Sequence, residues 1–137
     1  MELILDSSVV IAAERRGDNV AQMLKEIVAA TSDQRTVLSS VGLTELVHGI
    51  YRAQTTQARS RRDSFIRELL NDVEVYPYTK ETAMLAGKID GEQQSRGIVI
   101  PFADLLIGAT ALEVGYSIVT VNLRHFRLIP GLTLVQL

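Results

Sequence analysis

The sequence predicts an α/β fold, with a central, mostly parallel sheet of four to five strands and helices on both faces. Two features of the chain predict it. Short apolar runs recur along its length, each too short to be a helix. Between them lie longer stretches whose apolar residues recur at intervals of three and four. Strands that alternate with helices pair in parallel, and a strand covered on both faces is apolar throughout rather than at every second residue. A length of 137 residues suits one domain with a core of useful size, so residues 1–137 are read as a single domain.

The elements follow in order. Leu3-Ile4-Leu5 is a buried strand, and Asp6-Ser7-Ser8 behind it reads as a helix start. A short helix over Ser8 to Arg15 stops at Gly17. A second covers Asn19 to Ala30, with Val20, Met23, Leu24, Ile27 and Val28 on one face. Thr36 to Ser39 is the second strand. Gly42 to Arg52 is helical through Leu43, Leu46, Val47 and Ile50, and Thr55 to Asn71 through Phe65, Ile66, Leu69 and Leu70. Val73 to Tyr76 is a third strand, stopped by Pro77. Lys80 to Gly97 is a long helix with Ala83, Leu85, Ala86 and Ile89 inward. Pro101 opens a helix that Gly115 ends, the expected asymmetry of proline at the start and glycine past the end. Ser117 to Val121 is a fourth strand, Pro130-Gly131 a turn, and Leu132 to Val135 an edge strand.

Composition narrows the chemistry. With 47% hydrophobic and 22% charged residues, the chain is a globular protein rather than a disordered one. A formal charge of −2 argues against a surface wholly given to nucleic acid but permits a local basic patch. The absence of cysteine excludes disulfides, thiolate metal sites and cysteine nucleophiles, and two histidines, His48 and His125, exclude a three-histidine centre. Any metal is therefore held mainly by oxygen, which suits a hard cation such as Mg²⁺ or Mn²⁺. No apolar run is long enough to span a membrane, and the first residues lack the pattern of a signal peptide, so a cytoplasmic location is expected.

In open parallel sheets the ligand site lies beyond the carboxyl ends of the strands. Four polar residues from distant segments are expected there. Asp6 directly follows the first strand, Glu45 lies in the first turns of the helix after the second, Asp104 lies in the first turn of the helix opened by Pro101, and Asn122 follows the fourth strand. Taken alone, Asp6 also reads as a helix cap and Asn122 as a turn residue. Glu45 does not fit a capping box, because Gly42 stands three residues before it. Asp104 sits in a helix apolar on nearly all sides, where an unpartnered carboxylate costs several kcal/mol. Gly108, one turn on, is expected to leave the same face open. Three crowded carboxylates repel one another, and a divalent cation removes that conflict. Such a site suits Mg²⁺ and, as substrate, a phosphate ester.

Four stretches together resemble the PIN-domain nucleases, specifically the VapC-type toxins of bacterial toxin–antitoxin pairs. They are Leu5 to Ala12, Ser39-Ser40 with Thr44-Glu45-Leu46, Pro101 to Leu112, and Val119 to Phe126 followed by Ile129 to Leu132. Their order and spacing match over nearly the whole chain. The resemblance implies a PIN-like three-layer sandwich and a Mg²⁺- or Mn²⁺-dependent endoribonuclease, commonly a homodimer, inhibited by a cognate antitoxin protein. It implies Asp6, Glu45 and Asp104 as metal-binding acids. The fourth position often carries Asp; here it is Asn122, which makes an outer-shell role the expected one. The expected reaction is hydrolysis of an RNA phosphodiester that leaves a 5′-phosphate.

Arg52, Arg59, Arg61, Arg62 and Arg67 form a basic segment opposed only by Asp63. Arg59, Arg61 and Arg62 are candidates to hold the RNA backbone, beside the plainer alternative of a solvated helix face with Asp63 paired to Arg59 and Arg67. Arg124 and His125, next to Asn122, are further RNA candidates, with His125 able to donate to phosphate or to a metal-binding acid. His48 shares a helix face with Glu45 and is read as structural. Two rivals stand beside the nuclease. One is an inactive PIN-like module acting through protein partners. The other is an aspartate phosphoacceptor, disfavoured because Ser8 stands where a second Asp is needed and no lysine follows the fourth strand.

Overall fold

The computed structural model describes residues 2–32 and 35–137. Five strands form one sheet, parallel at every pairing: β1 (Glu2–Leu5), β2 (Arg35–Ser39), β3 (Val75–Tyr76), β4 (Ser117–Thr120) and β5 (Leu134–Gln136), in the order β3-β2-β1-β4-β5. The helices are α1 (Ser7–Arg16), α2 (Val20–Thr31), α3 (Ser40–Tyr51), α4 (Thr56–Asp72), α5 (Lys80–Gln94), α6 (Phe102–Val114) and α7 (Leu123–Phe126).

The three central strands send alternate residues to opposite faces. Leu3, Leu5, Leu38 and Val119 join a core with α1 to α4, including Val9, Met23, Ile50, Phe65 and Leu69. Ile4, Val37 and Ile118 join a second core with α5 to α7, including Ala86, Ile107 and Phe126. The sheet is therefore the middle layer of three, as the sequence predicts. No helix among the described residues is long and apolar enough to cross a membrane.

Local chemistry sets the helix ends. Asn19 and Gln22 form a reciprocal capping box on α2. Ser39, Thr55 and Thr79 each accept a backbone N–H at the start of α3, α4 and α5. Gly17 and Gly115 end α1 and α6 in the left-handed region, at φ 81° and 75°, where a Cβ is disfavoured.

The boundaries differ from expectation in a few places. Val73 belongs to the end of α4, where its N–H bonds to the Leu69 carbonyl, so only Val75 and Tyr76 pair with β2. On α5 Ala83 faces solvent, while Thr82 and Gln93 are buried. Those polar side chains are tolerated inside because Thr82 bonds Thr79 at 3.0 Å and Gln93 donates to the Leu128 carbonyl at 2.6 Å. Val28, Val47 and Leu70 lie at the margins of their apolar faces and stay partly exposed. The edge strand begins at Leu134 rather than Leu132. The four-residue α7 is not anticipated, and it carries the fully buried Phe126.

Gly108 does not open the site. A Cβ there would meet the Ile129 side chain and come close to Leu132, so the glycine lets the segment after α7 pack against α6. Gly108→Val is expected to destabilise the fold by about 1–3 kcal/mol through overpacking. Urea unfolding at an unchanged m-value measures it, and an unaltered midpoint would show the contact to be soft.

Candidate functional site

Register brings the site together. Leu5 pairs with Leu38 on one side and with Val119 on the other, so three adjacent strands end level. The chain runs from β1 toward β2 and β3 on one side and places β4 and β5 on the other, so β1 and β4 flank the point where the strand order reverses.

Asp6 is the first residue past β1 and is only 4% exposed. Its side chain does not cap α1. Instead Oδ2 accepts from Ser8 Oγ at 2.5 Å and from Thr120 Oγ1 at 2.9 Å, and those hydroxyls stand 3.1 Å apart. Both donors land on one oxygen. The plain capping role for Asp6 is thereby set aside.

Glu45 projects from the second turn of α3. The helix starts on Ser39, whose Oγ accepts from Gly42, so Glu45 has no part in a cap. Ser7 Oγ donates to its Oε1 at 3.0 Å. Burial pushes the Glu45 carboxyl above its usual range, and the charges of Asp6 and Asp104 push the same way against the Ser7 hydrogen bond.

Asp104 stands in the first turn of α6. Its Oδ2 lies 2.8 Å from His125 Nδ1, a contact between α6 and α7. Burial raises this carboxyl too, and the Asp6 charge adds to it, while the His125 hydrogen bond opposes both. Asp6, Glu45 and Asp104 are thus close enough to feel one another's charge. Asn122 is at the same edge, two residues past Thr120, but it is exposed and its Oδ1 accepts the Arg124 N–H at 3.3 Å as the cap of α7.

The basic candidates divide. Arg59 lies over the Tyr51 ring at 5.8 Å, and Arg61 pairs with Glu14 at 3.6 Å. Arg62 donates to the Gly49 carbonyl at 2.7 Å and lines a cleft of about 460 Å³ that Ser7 and Glu45 also line. Asp63 pairs with Arg67 at 2.9 Å. Arg124 is exposed beside Asn122, and His125 is turned to Asp104. His48 opens on the same cleft as Glu45.

The donor set is all oxygen and carries three negative charges, which suits Mg²⁺ or Mn²⁺. Among the described residues no three acidic or histidine side chains stand closed around one point. Ser7, Ser8 and Thr120 escape sequence reasoning. Single hydroxyls carry no spacing signal, and only the level ends of β1 and β4 reveal that Thr120 meets Asp6.

The sequence pattern of the PIN domain matches residues 3–132. The chain is 32% identical over 132 residues to ribonuclease VapC of Rickettsia bellii, an alignment covering 96% of this chain and 93% of that protein. It is 30% identical over 132 residues to ribonuclease VapC1 of Rickettsia felis, with the same 96% and 93% coverage. The crystal structure of DNA-bound VapBC from Salmonella typhimurium superposes with a TM-score of 0.82 at 26% identity, over 99% of this chain and 98% of that one.

A carboxyl that holds its proton more tightly in the folded chain destabilises the fold once it ionises, and this cost fades as pH falls through its raised range. Without divalent cation, Glu45→Gln and Asp104→Asn are therefore expected to melt above the unsubstituted protein at pH 7, with the gap closing toward pH 4. Added Mn²⁺ should raise the melting temperature of the unsubstituted protein and leave the variants nearly unmoved. Calorimetry across pH measures both. Variants that melt below the unsubstituted protein at pH 7 without cation would refute the charge conflict.

Proposed function

The chain belongs to the PIN domain family, and on that premise we propose that it is a Mg²⁺- or Mn²⁺-dependent endoribonuclease, the toxin of a toxin–antitoxin pair. The observation that carries the proposal is the gathering of Asp6, Glu45 and Asp104, with conflicting charges, at the reversal point of a parallel sheet. The relatives named as ribonucleases support the substrate, and the Salmonella complex supports an antitoxin partner.

Asp6, Glu45 and Asp104 would hold the cation. When bound, it neutralises the phosphodiester and activates water for attack at phosphorus. The chain's own groups prepare its ligands. Ser8 and Thr120 fix the Asp6 carboxylate, Ser7 fixes Glu45, and His125 fixes Asp104, each through one oxygen. Orientation of ligands by such partners commonly matters 10–100-fold. Asn122 takes an outer position, since its oxygen already caps α7. Of the basic residues, Arg62, which lines the cleft shared with Glu45, and Arg124, exposed beside Asn122, are the proposed RNA contacts; Arg59 and Arg61 are engaged with Tyr51 and Glu14. A single domain over residues 1–137, a homodimer and a cytoplasmic location complete the proposal.

The decisive experiment uses Asp104→Asn, purified and shown by circular dichroism to be folded. It should cut single-stranded RNA at least about 100-fold more slowly with Mn²⁺, since loss of a direct ligand exceeds loss of its supporting partner. The product of the unsubstituted protein should carry a 5′-phosphate. Cleavage by the variant at the unsubstituted rate would overturn the assignment. Absence of cleavage and of any Mn²⁺ thermal shift in the unsubstituted protein would favour a binding module instead.

A further inference from the structure

The cleft of about 460 Å³ lies between α1, α3 and α4 and begins at the acidic edge, where Ser7 and Glu45 line it. Away from that end its character changes. Glu45 and His48 on α3 and Arg52, which caps its C-terminus in helical conformation, follow one another at intervals of three and four, so they form one stripe, and all three line the cleft. At the rise of an α-helix, Arg52 lies about 10 Å from Glu45 along the axis. Arg15 enters from α1 and Arg62 from α4, the latter fixed on the Gly49 carbonyl. The remaining acid, Glu14, is already paired with Arg61. Behind these charges lie Val10, Phe65 and Ile66, all buried, with Ile11 in front of them at 40% exposure.

The cleft thus offers Glu45 at the acidic edge, Arg15 and Arg52 further along it, and an apolar wall between them. A nucleotide matches this sequence of surfaces, having a charged phosphate and a flat, weakly solvated base. We propose that the cleft seats the nucleotide beside the scissile bond, with its phosphate on Arg52 and Arg15 and its base against Ile11. This deepens the nuclease assignment and rests on it. It also moves the RNA path from the outer arginines of α4 to a stripe on α3.

The test separates binding from cutting. A fluorescein-labelled single-stranded RNA is titrated in EDTA, and the slope of log affinity against log salt is measured by anisotropy. Each phosphate contact on a single strand contributes about 0.7 to that slope. The Arg15→Ala/Arg52→Ala pair should lower it by about 0.7, the loss of that one phosphate contact, and Arg52→Ala alone by part of that amount. Both arginines are exposed, so the fold is expected to persist, and equal melting curves verify it. Lys88→Ala, exposed on α5, should leave the slope unchanged. Slopes unchanged in the cleft variants would overturn the proposal and leave a polypeptide as the occupant. Altered slopes without RNA cleavage by the unsubstituted protein in Mn²⁺ would sink the nuclease assignment yet keep the cleft as an RNA seat.

Discussion

Leu5 is flanked in the sheet by Leu38 and Val119, and the level ending of these strands governs what lies beyond them. Asp6, Ser39 and Thr120 are their neighbours in the chain. One becomes the buried carboxylate, one starts the helix that carries Glu45, and one donates to that carboxylate. A slip of one residue in a strand turns every side chain to the opposite face. The apolar alternation that builds the two cores therefore also fixes the register of the polar groups at the edge. Packing and chemistry are set by the same pairing.

Holding three acids at this edge runs against ordinary stability. Burial and mutual repulsion both favour the protonated forms of Glu45 and Asp104. The structure offsets this only in part, with one hydroxyl on Glu45, one imidazole on Asp104 and two hydroxyls on Asp6. Strain of this kind concentrates at functional sites, where a ligand relieves it. A core built for stability alone would place no carboxylate next to Leu105 and Ile107 in a helix as buried as α6.

Much of this was legible in the chain. The acids are visible because Asp6 and Glu45 follow apolar runs at the carboxyl end of the sheet and Asp104 lies inside an apolar helix, where an unpartnered charge is costly. The parallel sheet is visible in Leu3-Ile4-Leu5 and its counterparts. The hydroxyl partners are not, since Ser8 and Thr120 stand 112 residues apart and meet only across β1 and β4. Nor can sequence assign the arginines. Asp63 offers itself to Arg59 at helical spacing, yet Arg59 lies over the ring of Tyr51 on the neighbouring helix. Tertiary contact outweighs a local pairing that is worth only a few tenths of a kcal/mol. The inward face of α5 is misjudged for a related reason: Thr82 and Gln93 find partners that make them acceptable inside.

The hydrogen bond from Thr120 to Asp6 joins nearly opposite ends of the chain. It has a consequence for the order of events during synthesis. Chains emerge from the ribosome N-terminus first. Asp6, Ser8 and Glu45 are made early, but Thr120, which holds Asp6, follows it by 114 residues, and His125, which holds Asp104, is made later still. β4 must insert beside β1 before the edge is complete, so a partly made chain holds the acids without their arrangement. Whatever chemistry the site performs waits until β4 has joined β1 and α7 has brought His125 to Asp104.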